Sequence, residues 1–314
     1  MKFLKPKIVI SKCLEFEACR YDGQIINNRY IDRLKSFIDF IPVCPEVEIN
    51  MGVPRSPIKI IREKDKTYLY QTDTERDFSS KMNNFSEKYL SKIAEVDGFI
   101  LKSRSPSCGI KSAKIYAKSS PAPLGKDSGF FAAHVIKKFP NHPKEEEKRL
   151  NNPFIREHFY TSIFTIADFR EVNDFDTLYK YHSKHKYLFL SFNQILLRKM
   201  GNIAANRDGK SIGTVINEYY NQLLTLISNR PKPSSNINTQ MHVMGYFKKH
   251  ITSKEKKHFL SSLELYRDKK IPISTVNSIL SSWIHRFEND YLMKQSFFNP
   301  FPVELIEKKV SRFE

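Results

Sequence analysis

Gly98-Phe99-Ile100-Leu101-Lys102-Ser103-Arg104-Ser105-Pro106-Ser107-Cys108-Gly109 is the stretch on which the reading of the chain turns. It begins as an apolar run short enough for a buried strand. It then passes into Ser, Pro and Gly, which form turns rather than strands. The turn ends on Cys108. In an open α/β sheet, ligands bind in the crevice beyond the carboxyl ends of the strands, so a cysteine there is placed for chemistry.

Two more cysteines share that setting. Lys7 to Lys12 reads as a strand followed by Cys13, and Phe37 to Val43 as a strand followed by Cys44 and Pro45. If the three strands run parallel, their ends share one edge and three distant thiols meet. The spacing is not a CxxC pattern, which argues against a classical zinc site. Three converging thiolates suit an iron–sulfur cluster with one iron left unprotected. The alternative is three ordinary buried cysteines, because free Cys behaves as a small hydrophobe. Cys19 lies in a polar stretch with no strand before it and reads as incidental.

The chain has 314 residues, enough for two domains with a core in each. Four cysteines are too few for a disulfide scaffold and point to a reducing, cytoplasmic setting. Residues 1–7 alternate Lys with apolar residues and lack the apolar core of a signal peptide. No apolar stretch approaches the length of a membrane span. Lys and Arg number 52 against 34 Asp and Glu, a net charge of +18, shared equally on either side of Tyr160. A polyanion, nucleic acid first, is the partner such charge implies. A general compositional taste for Lys is the competing explanation.

Apolar periodicity orders the chain. Helices are expected at Asn28–Phe37, Thr74–Ile93 and Phe130–Phe139, and further strands at Ile58–Ile61, Thr67–Gln71 and Lys114–Ala117. Gly125–Gly129 reads as a loop, and Lys144–Arg149 as a charged break. Alternation of strand and helix predicts an α/β domain with a parallel, Rossmann-like sheet flanked by helices. A helix at Pro153–Ala167 leads out of it. From Asp174 the period is helical throughout, predicting an all-α bundle. Its expected helices are Phe175–Met200 as one long, kinked element, Asn217–Ser228, Gln240–His250, Ser253–Asp268, Ser274–Gln295 and a short last one after Pro300-Phe301-Pro302.

The motifs Ser11-Lys12-Cys13-Leu14, Arg20-Tyr21-Asp22-Gly23, Cys44-Pro45-Glu46-Val47-Glu48, Gly52-Val53-Pro54-Arg55 and Ser105-Pro106-Ser107-Cys108-Gly109 resemble the thiouracil desulfidase (TudS) family. Tyr181-His182-Ser183-Lys184-His185-Lys186-Tyr187 and His242-Val243-Met244-Gly245-Tyr246-Phe247-Lys248 resemble the YbgA-like helical family, as does Tyr291-Leu292 through Pro302. The combination is similar to the RudS desulfidases, which act on 4-thiouridine in tRNA. The resemblance implies a desulfidase domain at 1–165 and a helical domain at 172–314. It also implies a 4Fe–4S cluster on Cys13, Cys44 and Cys108, the cysteines that the strand-end argument selects, and a catalytic glutamate and serine, carried over to Glu46 and Ser105. Ser103 and Ser107 lie close enough to compete for the serine's role.

The implied chemistry is coherent. An iron without a protein ligand is a soft Lewis acid for a thiocarbonyl sulfur. Glu46 can take a proton from water or protonate the ring nitrogen, and Ser105 can hold the substrate. The competing role for Glu46 is a structural pair with Arg55 or Lys102. In the helical domain, Lys184, Lys186, Arg198, Lys199, Lys248 and Lys249 are candidates for gripping tRNA phosphates. Tyr181, Tyr187 and Tyr246 are candidates for base stacking, although bundle core is the plainer reading of each. His182, His185 and His242 read as structural rather than metal-binding. Two alternatives to a tRNA desulfidase remain: a desulfidase of free thiouracil or thiopyrimidine nucleosides, and a non-catalytic iron–sulfur protein that binds nucleic acid.

Overall fold

The computed structural model describes residues 3–306. They divide into two compact units, residues 3–167 and Asp168–Ile306. The last eight positions expected in the helical domain, 307–314, and the first two of the chain lie outside the described residues.

The first unit opens with β1 (Lys7–Ser11), α1 (Arg29–Leu34), β2 (Asp39–Val43) and the short α2 (Pro45–Glu48). Next come β3 (Ile58–Glu63), β4 (Lys66–Gln71), β5 (Arg76–Asp77), α3 (Ser79–Ser91) and β6 (Gly98–Leu101). It ends with β7 (Ala113–Tyr116), β8 (Pro123–Asp127), α4 (Phe130–Lys138), β9 (Lys144–Glu146) and α5 (Pro153–Phe169), whose last turn crosses into the second unit. One sheet has the order β2-β1-β6-β9 and is parallel throughout. Ile8, Val9 and Ile10 of β1 and all of β6 are buried, as a sheet covered on both faces requires. The chain steps from β1 to β2 on one side and to β6 on the other, so β1 is the topological switch point.

The expected parallel sheet is present, but it is not the whole architecture. Strands β3, β4 and β7 join β5 and β8 in a second, mixed sheet of order β5-β4-β3-β7-β8. Gly125, read as part of a loop, lies in β8, whose five residues are all exposed and carry no apolar alternation. Lys144–Glu146, read as a break, is β9, the fourth parallel strand, with Leu101 opposite Glu146. Helix α3 starts later than its apolar period suggests, because Asp77 pairs with Tyr70 in β5 before its carboxylate accepts the Ser79 N–H (2.8 Å). A core of Val9, Phe99, Leu101, Leu69, Met82, Phe131 and Val135 fills the unit, and Cys108 belongs to it.

The second unit is helical: α6 (Phe175–Phe192), α7 (Gln194–Ala205), α8 (Ile212–Ile227), α9 (Pro233–Met244), α10 (Ser253–Arg267), α11 (Ile273–Arg286) and α12 (Asp290–Met293). Asp174 and Thr177 form a capping box at the start of α6. The single helix expected over Phe175–Met200 is two. Asn193 adopts an extended backbone (φ −163°, ψ 116°) and accepts the N–H groups of Ile195 (2.9 Å) and Leu196 (3.1 Å), ending α6 and capping α7. Ser211 likewise caps α8 five residues before Asn217. After Pro302 there is a 3₁₀ turn at Val303–Leu305. No described helix is long and apolar enough to cross a membrane.

Burial gives the fold a pH limit. It pushes His182, bonded through Nδ1 to the Tyr219 hydroxyl (2.8 Å), down to about 4. It also pushes His142 down to about 4. Both are neutral when folded and take up a proton near pH ~6.5 when unfolded. Their contribution is therefore complete above pH ~6.5 and is lost as the pH falls toward 4. The thermal midpoint should fall between pH 7 and 4.5, with a shallower fall in His182→Gln; thermal unfolding across that range checks both.

Candidate active site

The parallel register places Ser11, Val43 and Leu101 at one edge of the sheet. The Lys12 N–H donates to the Val43 carbonyl (2.8 Å), and the Lys102 N–H to Ser11 Oγ (2.9 Å), tying the three strand ends together. Cys13 lies two residues beyond β1. Cys44 follows Val43 directly and is the N-cap residue of α2, with Pro45 in the first helical position. Glu46 therefore stands in the first turn of a helix that begins at a cysteine.

The Cys108 loop is fixed by its own serine and by α4. Ser105 Oγ accepts the N–H groups of Ser107 (3.2 Å) and Cys108 (3.1 Å). The otherwise unpaired N–H groups at the start of α4 reach back to the loop. Gly129 donates to the Gly109 carbonyl (2.8 Å), Phe130 to Pro106 (3.0 Å) and Ala132 to Ser107 (3.0 Å). A Cβ on Gly129 would lie 2.6 Å from the Ser107 carbonyl, so only glycine permits this approach.

Two buried carboxylates brace the loop from β9. Glu147 accepts the Ser103 N–H (2.6 Å) and hydroxyl (2.7 Å) and pairs with Lys102 (2.8 Å). Glu146 accepts the Ile110 N–H (2.6 Å) and the Ser112 hydroxyl. Ser112 Oγ in turn accepts the Arg104 N–H (2.7 Å). Three consecutive glutamates at positions 145–147 gave no apolar signal from which to find them.

These pieces line a cavity of about 260 Å³ that includes all four cysteines and Glu46. Sequence reasoning set Cys19 aside. It is buried here, its side chain meets those of Cys13 and Cys44, and its carbonyl accepts from Arg55 (3.1 Å). Contact with Cys13 is the main cause that pushes the Cys19 thiol up to about 11. Contact with Cys19, then burial, raises Cys44. Burial raises Cys108, against the opposing Ser11 and Ser105 hydroxyls. Such thiols are protonated unless a cation draws off the proton. Among the described residues no three His, Cys, Asp or Glu side chains are grouped to hold one ion. Thiols collected round a cavity, without a single focus, fit a cluster whose irons each take their own thiolate.

Glu46 is clamped. Its Oε1 accepts the Ser107 hydroxyl (2.9 Å), and its Oε2 is paired with Arg55, whose side chain is 3% exposed. Arg55 also donates to the Gly52 carbonyl (2.9 Å). The Arg55 pairing weighed from sequence is thus present, and Glu46 lines the cavity as well. Ser105 lines the cavity too, but the serine that touches Glu46 is Ser107. Tyr21, exposed at the cavity, and Arg104 were not singled out from sequence.

In the second unit, Lys186, Arg198, Lys199, Lys248 and Lys249 are exposed. Lys184 is paired with both oxygens of Asp168 (2.9 and 2.8 Å). Tyr181 is core, against Phe169 and His185. Tyr187 is buried, and its hydroxyl donates to that of Tyr246 (3.0 Å), which is exposed and stacked on Tyr291. His185 bridges Asp168 and Ser296, 2.7 Å from each, and with His182 it belongs to the packing. His242 is exposed.

Comparison with known proteins divides the chain the same way. Residues 8–147 match the family described as 2-thiouracil desulfurase, and residues 186–302 match a family described as a protein of unknown function, DUF1722. The chain joins a domain of the 2-thiouracil desulfurase family to a DUF1722 domain. It is 28% identical over 126 residues to the Escherichia coli protein YbgA, covering 40% of this chain and 75% of that one. It is 26% identical over 140 residues to the Bacillus subtilis protein YbbK, covering 39% of this chain and 91% of that one. A solved [4Fe-4S]-dependent thiouracil desulfidase, TudS, is 24% identical with a TM-score of 0.38, over 47% of this chain and 94% of that structure.

Gly129→Ala should shift the Ser105–Gly109 loop and cost roughly 1–3 kcal/mol. Gly125→Ala, where an added Cβ meets nothing within 4 Å, should stay within about 0.5 kcal/mol of wild type. Thermal unfolding of the two variants side by side measures the contrast.

Proposed function

We propose that this protein is an iron–sulfur-dependent desulfidase that converts 4-thiouridine in tRNA to uridine and releases hydrogen sulfide. The observation that carries the reading is the meeting of Cys13, Cys44, Cys108 and Glu46 at one cavity beyond the strand ends. Membership of the first domain in the 2-thiouracil desulfurase family supports it. The charge of +18 supports a polyanionic substrate. Four cysteines without a disulfide agree with a cytoplasmic setting.

We assign Cys13, Cys44 and Cys108 as the ligands of a 4Fe–4S cluster and place Cys19 beside it. When bound, such a cluster supplies an open, soft iron that polarises a thiocarbonyl. Glu46, oriented by Arg55 and Ser107, takes the proton of the attacking water. Ser105 contacts the substrate from the cavity wall. The exchange is hydrolytic: one water oxygen replaces the sulfur, hydrogen sulfide leaves, and no electrons are consumed. The exposed Lys186, Arg198, Lys199, Lys248 and Lys249 are candidates for backbone contacts to tRNA, and Tyr246 for stacking on a base. Desulfuration of free 2-thiouracil is the second reading, favoured by the description of the matched family.

Cys13→Ala, Cys44→Ala and Cys108→Ala should each lose iron after anaerobic reconstitution, and Cys19→Ala should retain it. Glu46→Gln should keep its iron and lose ~10²–10⁴-fold in turnover. Iron content and sulfide release on the same preparations separate the two roles.

The function itself is tested by anaerobic incubation with bulk tRNA and nucleoside analysis, with 2-thiouracil as the parallel substrate. Loss of 4-thiouridine, steeply weakened by added salt, is the expected result. Turnover of 2-thiouracil alone would favour the second reading.

A further inference from the structure

Five basic side chains line the cavity: Lys12, Arg20, Arg55, Lys102 and Arg104. Four are matched by carboxylates. Lys12 pairs with Glu17, Arg20 with Asp22 (3.2 Å), Arg55 with Glu46 and Lys102 with Glu147 (2.8 Å). Arg104 has no ion-pair partner among the described residues, and its side chain is exposed. Its backbone, by contrast, is held. It lies in the left-handed region (φ +61°), and its N–H is fixed to Ser112, which is fixed to the buried Glu146. A non-glycine residue stays in that region only where its surroundings hold it there, and such positions cluster at ligand clamps.

We infer that Arg104 binds a phosphate of the substrate and so selects a thiolated nucleotide unit over a free base. The assignment rests on the desulfidase reading and extends it to one residue. A guanidinium offers paired N–H donors that match phosphate oxygens. The other cations at the cavity are already neutralised, so an incoming anion meets its uncompensated charge at Arg104. The same loop carries Cys108 four residues on, so one segment faces both the reacting base and its phosphate. A free thiouracil has no anionic group for Arg104 to bind.

The test uses the full-length chain with its cluster reconstituted anaerobically. Uridine and uridine 5′-monophosphate, neither of which carries sulfur to lose, are titrated by calorimetry. Wild type should bind the monophosphate roughly 10–100-fold more tightly, the range for a hydrogen bond to a charged group. Arg104→Gln should lose most of that preference and Arg104→Lys only part. Arg104→Gly, which relieves the left-handed backbone, serves the same purpose if the glutamine variant does not fold. Equal binding of the two ligands by wild type, or a preference unchanged in the variants, would overturn the assignment. Sulfide release from 4-thiouridine, its 5′-monophosphate and tRNA then locates the phosphate. A fall of kcat/KM relative to the nucleoside in the variants for the monophosphate alone marks a free nucleotide, and one for tRNA marks a phosphodiester. If the monophosphate preference is present but no substrate yields sulfide, the desulfidase reading fails and the phosphate contact stands.

Discussion

Everything at the site depends on the register between β1 and its two neighbours. Because Ser11 lies opposite Val43, and Ile10 opposite Ile100, three strands end together. Each then releases its chain into a loop at the same edge. A displacement of one strand by one residue would turn its buried side chains to the other face. It would also carry one cysteine away from the others. The Lys102 bond to Ser11 and the Lys12 bond to Val43 are small interactions, but they join neighbouring strands at the point where the loops begin.

The second requirement is polar. Loop backbone beside a buried cavity needs partners for its N–H groups, because an unpaired buried donor costs about 1–3 kcal/mol. Glu146 and Glu147 supply those partners from within the first unit. A buried carboxylate is expensive unless it is well bonded. Glu147 meets that condition through Lys102 and Ser103, and Glu146 through Ile110 and Ser112. Glu46 has the same character, held between a guanidinium and a hydroxyl, with the difference that it faces the cavity.

How much of this can be read in the sequence follows from the range of each interaction. Short apolar runs ending in cysteine are local signals, and β1, β2 and β6 were legible from them. So was the change from strand to helical period near Asp174. Strands β8 and β9 were not, because Pro123–Asp127 is wholly exposed and Lys144–Glu146 is three charged residues. Each is a strand only because a partner supplies its hydrogen bonds. The division of α6 from α7 was hidden because Phe192, Ile195 and Leu196 keep the period unbroken across Asn193. Cys19 was passed over because its position depends on Arg55, 36 residues away, and on the side chains of Cys13 and Cys44. Ser107 and Glu46 are 61 residues apart, so nothing local could distinguish Ser107 from its neighbours.

The close approach of Gly129 to the Ser107 carbonyl also bears on how portable this architecture is. The Ser105–Gly109 stretch looks self-contained, a short turn that could be moved onto any strand. Its shape nevertheless depends on a bare Cα twenty residues downstream, on the first turn of the helix that follows, and on two acids from another strand. A protein engineer grafting the turn alone would transfer a cysteine without the cradle that aims it. The smallest transferable piece runs from β6 through β9, which makes the motif a property of nearly fifty residues rather than five.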